Sequence, residues 1–312
     1  MRNLKFNLDI AENALLAANP EEFYSKAYLS SEDIPNNYRT LPGIKSKTKL
    51  ANVVFGQVLQ AQNCGFNASE DDIDAIDIDV CSLSAMAELC QFDLEQSFLS
   101  LQMTKGSNSD FSIPSFMAYY WNIMALTIGQ DIELLRWQGD VGLTPADPLL
   151  NLCDGYLIKL CGDAAVVGLA SSPITTINVL DELEDVLNAA PASIVRKKAE
   201  LRFYVSTNVA NAYELKAAQG NTQTFVTLPL GLTFLGINMV VCQGMPDNTI
   251  VLTLRSNLIY AFDAEGDDRA LKAVNLADTV AEPVIRTRTN MKIGFHYTNP
   301  EEIVLYNSCF NA

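Results

Sequence analysis

The chain has 312 residues, of which 49% are hydrophobic, and a formal net charge of −16. This length and apolar content allow one large unit or two compact units with a real core, and the acidic charge argues against a protein that grips nucleic acid through a broad basic surface. The longest apolar stretches, such as 228–242, are interrupted by Pro229, Gly231 and Gly236, so the sequence predicts no membrane span.

The first 42 residues predict an arm rather than a domain. A short helical pattern runs from Leu8 to Ala18, and turn-prone residues follow it. The aromatic residues of this part, Tyr38 among them, are too scattered to form a continuous face, so we expect an extended arm that lies on another body. The N-terminus shows no apolar signal core and no small-residue cleavage site, which predicts that the chain is not exported by that route.

Residues 43–80 predict a long β-hairpin. Lysines alternate with smaller residues at its start and lead into an apolar run at 53–59, and a second run follows the turn signal at 63–65. In that second run Ile76 and Ile78 alternate with acidic residues, as expected for a strand with one apolar side. The first leg is therefore basic at its start, and the second leg is acidic.

Charge is unevenly spread over the first third of the chain. Residues 1–50 carry seven Lys and Arg against six Asp and Glu, whereas residues 51–110 carry one against ten. Two interpretations stay open: an ordinary solvated acidic face, or basic and acidic segments that meet between subunits or partners.

The acidic run from Glu70 to Asp79 is a candidate cation site. It has no glycine at the turn and no glutamate at the closing position of a calcium loop, and its alternation with isoleucine favours the polar side of a strand. A metal-dependent hydrolase that uses the 70–79 acids stays open as an alternative from another class. Changing Asp74 and Asp77 to Asn should then abolish its turnover.

The stretch 112–136 predicts a long amphipathic helix, around which we expect the other elements to be arranged. Asp110 or Ser112 can cap it, Pro114 falls in its first turn, and Gly139 ends it. At about 1.5 Å per residue the helix spans roughly 35 Å, so it is either a strut or a long core helix of an ordinary two-layer domain. Its apolar residues recur at three- and four-residue spacing: Ile113, Phe116, Met117, Tyr120, Met124, Ile128, Ile132 and Leu135.

The remaining elements mix helices and strands. Short amphipathic segments at 83–90 and 94–103 precede the long helix. This order is neither a regular β-α alternation nor an all-β barrel, which predicts an α+β fold. After the long helix, the patterns predict helices at 148–160, 175–189 and 208–219, and strands at 201–206, 232–241, 250–254, 258–262, 270–275, 284–297 and 303–306.

No constellation of catalytic residues stands out. The basic segment 43–48 lacks the glycine that must precede the Lys-Ser/Thr pair of a phosphate loop, and His296 is the only histidine. The triplet 196–198 is the most basic spot, which we interpret as a surface cluster rather than a nucleic-acid footprint. We therefore predict no catalytic, cofactor-binding or metal site and no cofactor.

The cysteines are seven in number, and no two of them form a CxxC pair. An odd set without paired spacing predicts reduced thiols in a cytoplasm rather than a disulfide framework. They are Cys64, Cys81, Cys90, Cys153, Cys161, Cys242 and Cys309.

An arm, a long hairpin, a long helix, a mixed α/β unit and a return strand, in this order, resemble the major capsid proteins of tailed bacteriophages of the Hong Kong 97 type. The segment 201–208 with the helix behind it is similar to the family's strand-turn-helix passage. The passages 235–241 and 244–248, followed by the strand 258–262, resemble its L-G-x-x-V-V and M-P motifs. The resemblance covers roughly residues 40–308, and its motifs are diffuse.

This resemblance implies an α+β, Hong Kong 97-like capsid fold in five parts. Residues 1–42 would be the N-terminal arm, 43–80 the extended loop, and 81–139 the peripheral domain with the spine helix. Residues 140–283 would be the axial domain, and 284–312 the return strands of the peripheral domain. We expect the first eighty or so residues to need neighbouring subunits, since they show no core of their own.

The implied function is structural, not enzymatic: a major capsid protein that self-assembles into pentamers and hexamers of an icosahedral shell around double-stranded DNA. Expected partners are further copies of the chain, portal, scaffolding and decoration proteins, and DNA bound without sequence specificity, with no membrane. Assembly would occur in the host cytoplasm, and the final location would be the virion. An acidic chain suits a DNA container, because a strongly basic wall would trap the genome.

One alternative function and two expectations about assembly accompany this interpretation. An encapsulin-type compartment shares the architecture but loads enzymes instead of DNA. Scaffolding is expected to be a separate protein or a segment removed earlier, because no large N-terminal scaffolding segment is evident. Some relatives weld subunits by a Lys-Asn isopeptide bond, for which Lys45, Lys47 and Lys49 are the plausible donors, but no matched acceptor and acid are found.

Overall fold

The computed structural model describes residues 34–55, 71–90, 114–143, 148–219, 232–263, 271–276, 282 and 284–311. Short 3-10 turns lie at Leu150–Leu152, Pro300–Glu302 and Ser308–Phe310. The helices of this part are α1 (Ile34–Asn37), α2 (Pro114–Gln138), α3 (Tyr156–Gly162), α4 (Val179–Ala189), α5 (Ala192–Val195) and α6 (Thr207–Gln219). Its strands are β1 (Arg39–Leu41), β2 (Thr48–Phe55), β3 (Asp71–Ile78), β4 (Cys81–Cys90), β5 (Val167–Ala170), β6 (Leu201–Ser206), β7 (Thr233–Phe234), β8 (Ile237–Cys242), β9 (Ile250–Leu254), β10 (Leu258–Phe262), β11 (Leu271–Asn275), β12 (Val284–Tyr297) and β13 (Val304–Asn307).

The first sheet is built on β12, a strand of 14 residues. Along one edge of β12 lie β10, opposite its second half, and β11, opposite its first half; β4 runs antiparallel along the other edge, and β1 extends the sheet beyond β10. Alternate residues of β4 are half-buried and exposed, so one face of the sheet is covered and the other is open. The covered face packs against α2, whose Ala125 and Ile132 share a core cluster with Ile293.

The second sheet has six strands in the order β5-β13-β9-β6-β8-β7. Every residue of β6 and β9 is buried, which is the pattern of central strands covered on both faces. Helices α4 and α6 cover one face through residues such as Leu183 and Tyr213, which share a core cluster with Phe203 and Leu252. The α+β class predicted from the sequence is confirmed.

Helix α2 confirms the predicted long helix, with an observed range of Pro114–Gln138 against the predicted 112–136. Its last turns are fully in the core, where Leu135 is 1% and Trp137 is 0% exposed. The long strands predicted at 201–206, 258–262 and 284–297 also coincide with β6, β10 and β12.

The helix predicted at 148–160 is wrong in its first half. A 3-10 turn occupies Leu150–Leu152, and α3 begins only at Tyr156. The interruption is at Gly155, where a Cβ atom would lie 2.6 Å from the carbonyl oxygen of Leu135, so only glycine permits this approach to α2. The amide of Gly155 donates to the carbonyl of Gly139 at 2.8 Å, and this contact with the end of α2 replaces a helical hydrogen bond.

The single strand predicted at 232–241 is also wrong, because the structure divides it into the hairpin β7–β8. Register Phe234↔Ile237 leaves a two-residue turn of Leu235 and Gly236, whose φ angles are 47° and 81°. Positive φ at both positions is the requirement of the tight type I′ hairpin turn. Glycine accepts this conformation easily, but leucine does not.

The N-terminal arm lies on the chain's own body over its described end. Ile34 is 0% and Tyr38 is 3% exposed, and β1 pairs in parallel with β10. The expectation that residues 1–42 lie on another body is therefore wrong for residues 34–41, because Tyr38 finds its apolar partners in elements distant in sequence. The helical pattern at 8–18 lies outside the described residues.

The cysteine prediction is contradicted as well. Cys81 is bonded to Cys153, and Cys161 is bonded to Cys309, across sequence separations of 72 and 148 residues. Spacing along the chain could not reveal either pair, because each bond joins elements that meet only in the folded chain. Cys90 and Cys242 take part in no disulfide among the described residues, and Cys64 lies outside them.

Candidate functional site

The predicted hairpin of residues 43–80 is present, and β2 and β3 form a two-stranded sheet of its own. The pairing is antiparallel from Thr48↔Ile78 to Phe55↔Asp71. Two strands without a covering layer bury little apolar surface and are marginally stable alone in water. The turn signal at 63–65 lies outside the described residues.

The basic and acidic legs meet at the base of this hairpin. The Nζ atom of Lys47 lies 3.1 Å from the Asp77 carboxylate and 3.4 Å from that of Asp79, and the Nζ atom of Lys49 lies 3.9 Å from Asp77. The hydrogen bond between Lys47 and Asp77 raises the pKa of Lys47 and lowers the pKa of Asp77. These groups pair within one chain, and their side chains are more than two-fifths exposed.

This pairing bears on the acidic run 70–79 as a candidate metal site. Asp77, one of its central acids, already faces two lysines, which compete with a cation for the carboxylate. Within the described residues, no group of three or more His, Cys, Asp and Glu side chains is placed to hold a metal ion. The side chain of Asp74 lies outside the described part of the chain.

A small apolar cluster attaches the hairpin base to the first sheet. Ile78 is 1% exposed and packs with Ile259 and Ala261 of β10, and Leu50 and Val80 contact the same cluster. Gly294 of β12 lies below, where a Cβ atom would be 3.2 Å from the Val80 side chain and even closer to the backbone of Asp79. The base of the hairpin is therefore anchored, although β2 and β3 pair with no other strand in the part of the chain that the structure describes.

His296 adds a polar anchor at the same point. The backbone amide of Asp79 lies 3.0 Å from the Nε2 atom of His296. Burial, together with the nearby Lys159 ammonium, lowers the pKa of His296 to about 4. The only histidine in the sequence is thus neutral at neutral pH and links β12 to the residue that follows β3.

A second junction surrounds Arg136 at the end of α2. Its guanidinium carbon lies 5.2 Å from the ring centroids of both Tyr38 and Tyr260, and the residue is fully buried. The Tyr38 ring also contacts the ring of Tyr204 of β6 at a tilt of 41°, and the Tyr204 hydroxyl donates to the carbonyl of Asn37. This cluster joins the arm, α2 and both sheets, and a cation between two aromatic faces stabilises it.

The turn after β8 is held against α2 by a buried carboxylate. Glu133 is 5% exposed, and its Oε1 atom accepts hydrogen bonds from the amides of Gln243 at 2.7 Å and Gly244 at 3.2 Å. Gln138 donates to the Gly244 carbonyl at 2.7 Å. These bonds fix the second sheet relative to the long helix.

The open face of the first sheet carries a shallow cavity of about 460 Å³. Met86 and Val274 form its apolar part and are 66% and 39% exposed. The cations at its rim are Lys272, Arg288 and Arg286, and Arg286 pairs with Glu88 at 2.7 Å. A surface of this composition, with an apolar floor and a charged rim, is typical of a protein contact.

The triplet 196–198 lies at the surface, as the sequence predicted, and all three side chains are exposed. Lys198 donates to the carbonyl of Leu235 at 3.4 Å, which places the triplet beside the β7–β8 turn. In the segment 43–48, Gly43 has a φ of +82°, and the carbonyl of Lys45 accepts a hydrogen bond from Lys292 at 2.6 Å.

Sequence reasoning missed the Arg136 cluster and both disulfides. One signal for the first was available, because Arg136 interrupts the apolar end of the long helix between Leu135 and Trp137. No helix in the described part of the chain is long and apolar enough to cross a membrane.

Comparison of the sequence with models of known families and with curated proteins gives no match. Comparison of the fold with solved structures gives several matches. A chain of the satellite phage P4 procapsid with the size determination (Sid) protein matches with a TM-score of 0.60 at 11% identity, over 92% of this chain and 96% of that chain.

Two further capsids match similarly. The capsid of the native GTA particle gives a TM-score of 0.59 at 17% identity, over 88% of this chain and 89% of that chain. The capsid of the Myoviridae phage XM1 gives 0.53 at 10% identity, over 88% and 90% of the two chains. The chain therefore has the α+β fold of phage capsid proteins, which confirms the fold class expected from the order of its elements.

Proposed function

We propose that this chain is the major capsid protein of a tailed, double-stranded DNA bacteriophage. The observation that carries the proposal is the extent of the fold likeness: it includes 88–92% of this chain and 89–96% of the three capsid chains. A likeness of this extent involves most of the given chain, not an isolated motif. The role is structural, and the location of the protein is the shell of the virion.

The proposed division of the chain follows the five parts expected from the sequence. Residues 1–42 form the N-terminal arm, 43–80 the extended loop, 81–139 with 284–312 the peripheral domain, and 140–283 the axial domain. Several strands cross these limits: β10 and β11 of the proposed axial domain and β1 of the arm join the first sheet, and β13 of the peripheral domain joins the second. The two sheets therefore hold the peripheral and axial domains together within one subunit.

The hairpin supports a function that needs neighbours. Within the described residues, β2 and β3 pair with each other and with no further strand, and the anchoring apolar cluster lies at the base of the hairpin. A long hairpin that leaves the body gains stability when another subunit covers it. The proposed partners are copies of the chain in pentamers and hexamers, the portal, scaffolding and decoration proteins, and packaged DNA held without sequence specificity.

The test is purification of the particles that form when the chain is expressed in bacteria. We expect icosahedral shells by negative-stain electron microscopy, and shells from infected cells should contain nuclease-protected DNA. A variant in which residues 48–78 are replaced by a short Gly-Ser linker is the control: its two large sheets should stay folded, and its shells should not form.

The same experiment separates the alternatives. Shells that contain an enzyme cargo and no DNA would indicate an encapsulin-type compartment. A chain that forms no shell, and whose turnover of some substrate is lost when Asp74 and Asp77 are changed to Asn, would indicate a hydrolase and refute the capsid proposal.

A further inference from the structure

The β7–β8 turn combines a strained backbone with an exposed apolar side chain, and neither feature stabilises the folded chain. Leu235 has a φ of 47°, a backbone conformation that costs energy for a leucine, and its side chain is 61% exposed. Asparagine or glycine would be favoured at this position of a type I′ turn. Asn248 also has positive φ, but hydrogen bonds stabilise its conformation: its Oδ1 atom accepts hydrogen bonds from the Ile174 amide and from the Asn208 side chain.

A cluster of cations lies beside this turn. Arg196, Lys197 and Lys198 are exposed, and Lys198 donates to the carbonyl of Leu235. We call these three residues and Leu235 the basic tip. It is an unusual surface for a chain with a net charge of −16, and it places an apolar side chain next to several positive charges.

Helix α4 carries the complementary surface. Asp181, Glu184 and Asp185 are exposed and recur at three- and four-residue spacing, opposite the buried Leu183 and Val186. We call these three acids the acidic face. The apolar residues Ile177 and Leu180 lie next to it and are 80% and 37% exposed.

The two surfaces lie on different elements around the second sheet. Leu235 lies at the β7 edge and residues 196–198 precede β6, whereas α4 contacts β9 and β13. Along the strands, α4 begins near the far end of β6, because Ile174 is bonded to Asn248 there. Within the described residues, no ion pair joins the basic tip to the acidic face of the same copy.

We infer that the basic tip of one copy docks on the acidic face of the next copy, with Leu235 against Ile177 and Leu180. This inference rests on the proposed shell function and names a contact within it. Two unlike surfaces that complement each other join head to tail, which is the arrangement that builds rings of identical subunits. Among the described residues, neither set of charges forms an ion pair within its own chain.

Charge exchange tests this contact. Lys197→Glu with Lys198→Glu, or Glu184→Lys with Asp185→Lys, should lower the yield of shells about tenfold or more, because like charges then face each other across the contact. The four changes combined in one chain restore opposite charges and should restore shell formation. Thermal melting of the free subunits should be nearly the same for all variants, since every changed side chain is exposed.

Leu235→Asn is an independent test, because its two expected effects have opposite signs. Asparagine suits the turn, so the free subunit should melt at the same or a higher temperature, while shell formation should weaken as the apolar contact is lost. Glu214→Lys on α6 is the matched control for the acidic changes and should assemble like the parent chain.

Normal assembly by both charge-reversed variants, or failure of the combined variant to restore it while it melts normally, would overturn the contact. If the parent chain forms no shells at all, the proposed function itself has failed.

Discussion

Protonation of His296 should loosen the base of the hairpin. The imidazole is 8% exposed, and its Nε2 atom lies 3.0 Å from the amide of Asp79, the residue that follows β3. Burial is the main reason why its pKa falls from 6.5 to about 4. Lys159 and Lys47 disfavour the charged imidazole further, whereas the carbonyl and carboxylate of Asp79 favour it.

The size of the effect follows from this shift. The pKa of His296 is lower in the folded chain than in the unfolded chain. The contribution of the neutral imidazole to the unfolding free energy is therefore complete above about pH 6.5, and it is lost as the pH falls through 6.5 toward 4. A shift from 6.5 to about 4 corresponds to about 3 kcal/mol of unfolding free energy, most of which should be lost by about pH 4.

The assay is urea unfolding of the free subunit at several pH values between about 7.5 and about 4. His296→Gln keeps an acceptor for the Asp79 amide but cannot titrate, so the carboxylates contribute equally to both chains. We expect the parent chain to lose about 3 kcal/mol more than the variant over this range. Equal losses in the two chains would refute the assigned burial and bonding of His296.

Three more changes probe the contacts that join the sheets and the helix. Gly244→Ala should lower the unfolding free energy by about 2 kcal/mol in urea titrations, because the added Cβ would lie 2.6 Å from the carbonyl carbon of Glu133; no change would contradict that close packing. Mild reductant should open the Cys161–Cys309 bond before the Cys81–Cys153 bond, because Cys309 is exposed and Cys153 is buried. Mass spectrometry of labelled thiols would show the opposite order if this placement is wrong. Arg136→Ala should destabilise the subunit by about 3 kcal/mol and Arg136→Met by clearly less, because methionine fills the space between the two tyrosines; equal melting temperatures of the two variants would argue against that packing.

Periodicity predicted the elements that are long and uniform. Strand β12 alternates buried and exposed residues over most of its length, and helix α2 repeats its apolar residues over seven turns, so neither depends on a single residue. The apolar pattern failed where a single glycine determines the path of the backbone. Gly155 interrupts a run that is otherwise helical, and Gly236 turns a run that otherwise reads as one strand, because backbone approach and positive φ leave no trace in apolar spacing.

Contacts between distant parts of the chain could not be predicted from the sequence, for a related reason. The Cys81–Cys153 bond and the packing of Tyr38 between Arg136 and Tyr204 join positions that are distant along the chain. Their partners follow only once the sheets are assembled. The hairpin was predicted correctly because its two legs are neighbours along the chain. The sequence showed one basic and one acidic leg, but it left open a solvated face or a contact between subunits, whereas Lys47 and Asp77 pair within one chain.

The burial of the described end of the arm changes what a single copy needs from its neighbours. Residues 34–41 find their partners within the chain, so the hairpin β2–β3 is the described element that still lacks a covering layer. We therefore expect a free subunit with two folded sheets and a hairpin that becomes protected from hydrogen exchange only after assembly.

The central claim is that this chain builds a closed shell from many copies of itself. Sedimentation of the purified chain over a wide concentration range, with electron microscopy of the fastest fraction, tests it most directly. The account predicts free subunits or small rings in coexistence with shells of uniform size. A chain that stays monomeric or dimeric at every concentration and salt condition would contradict it.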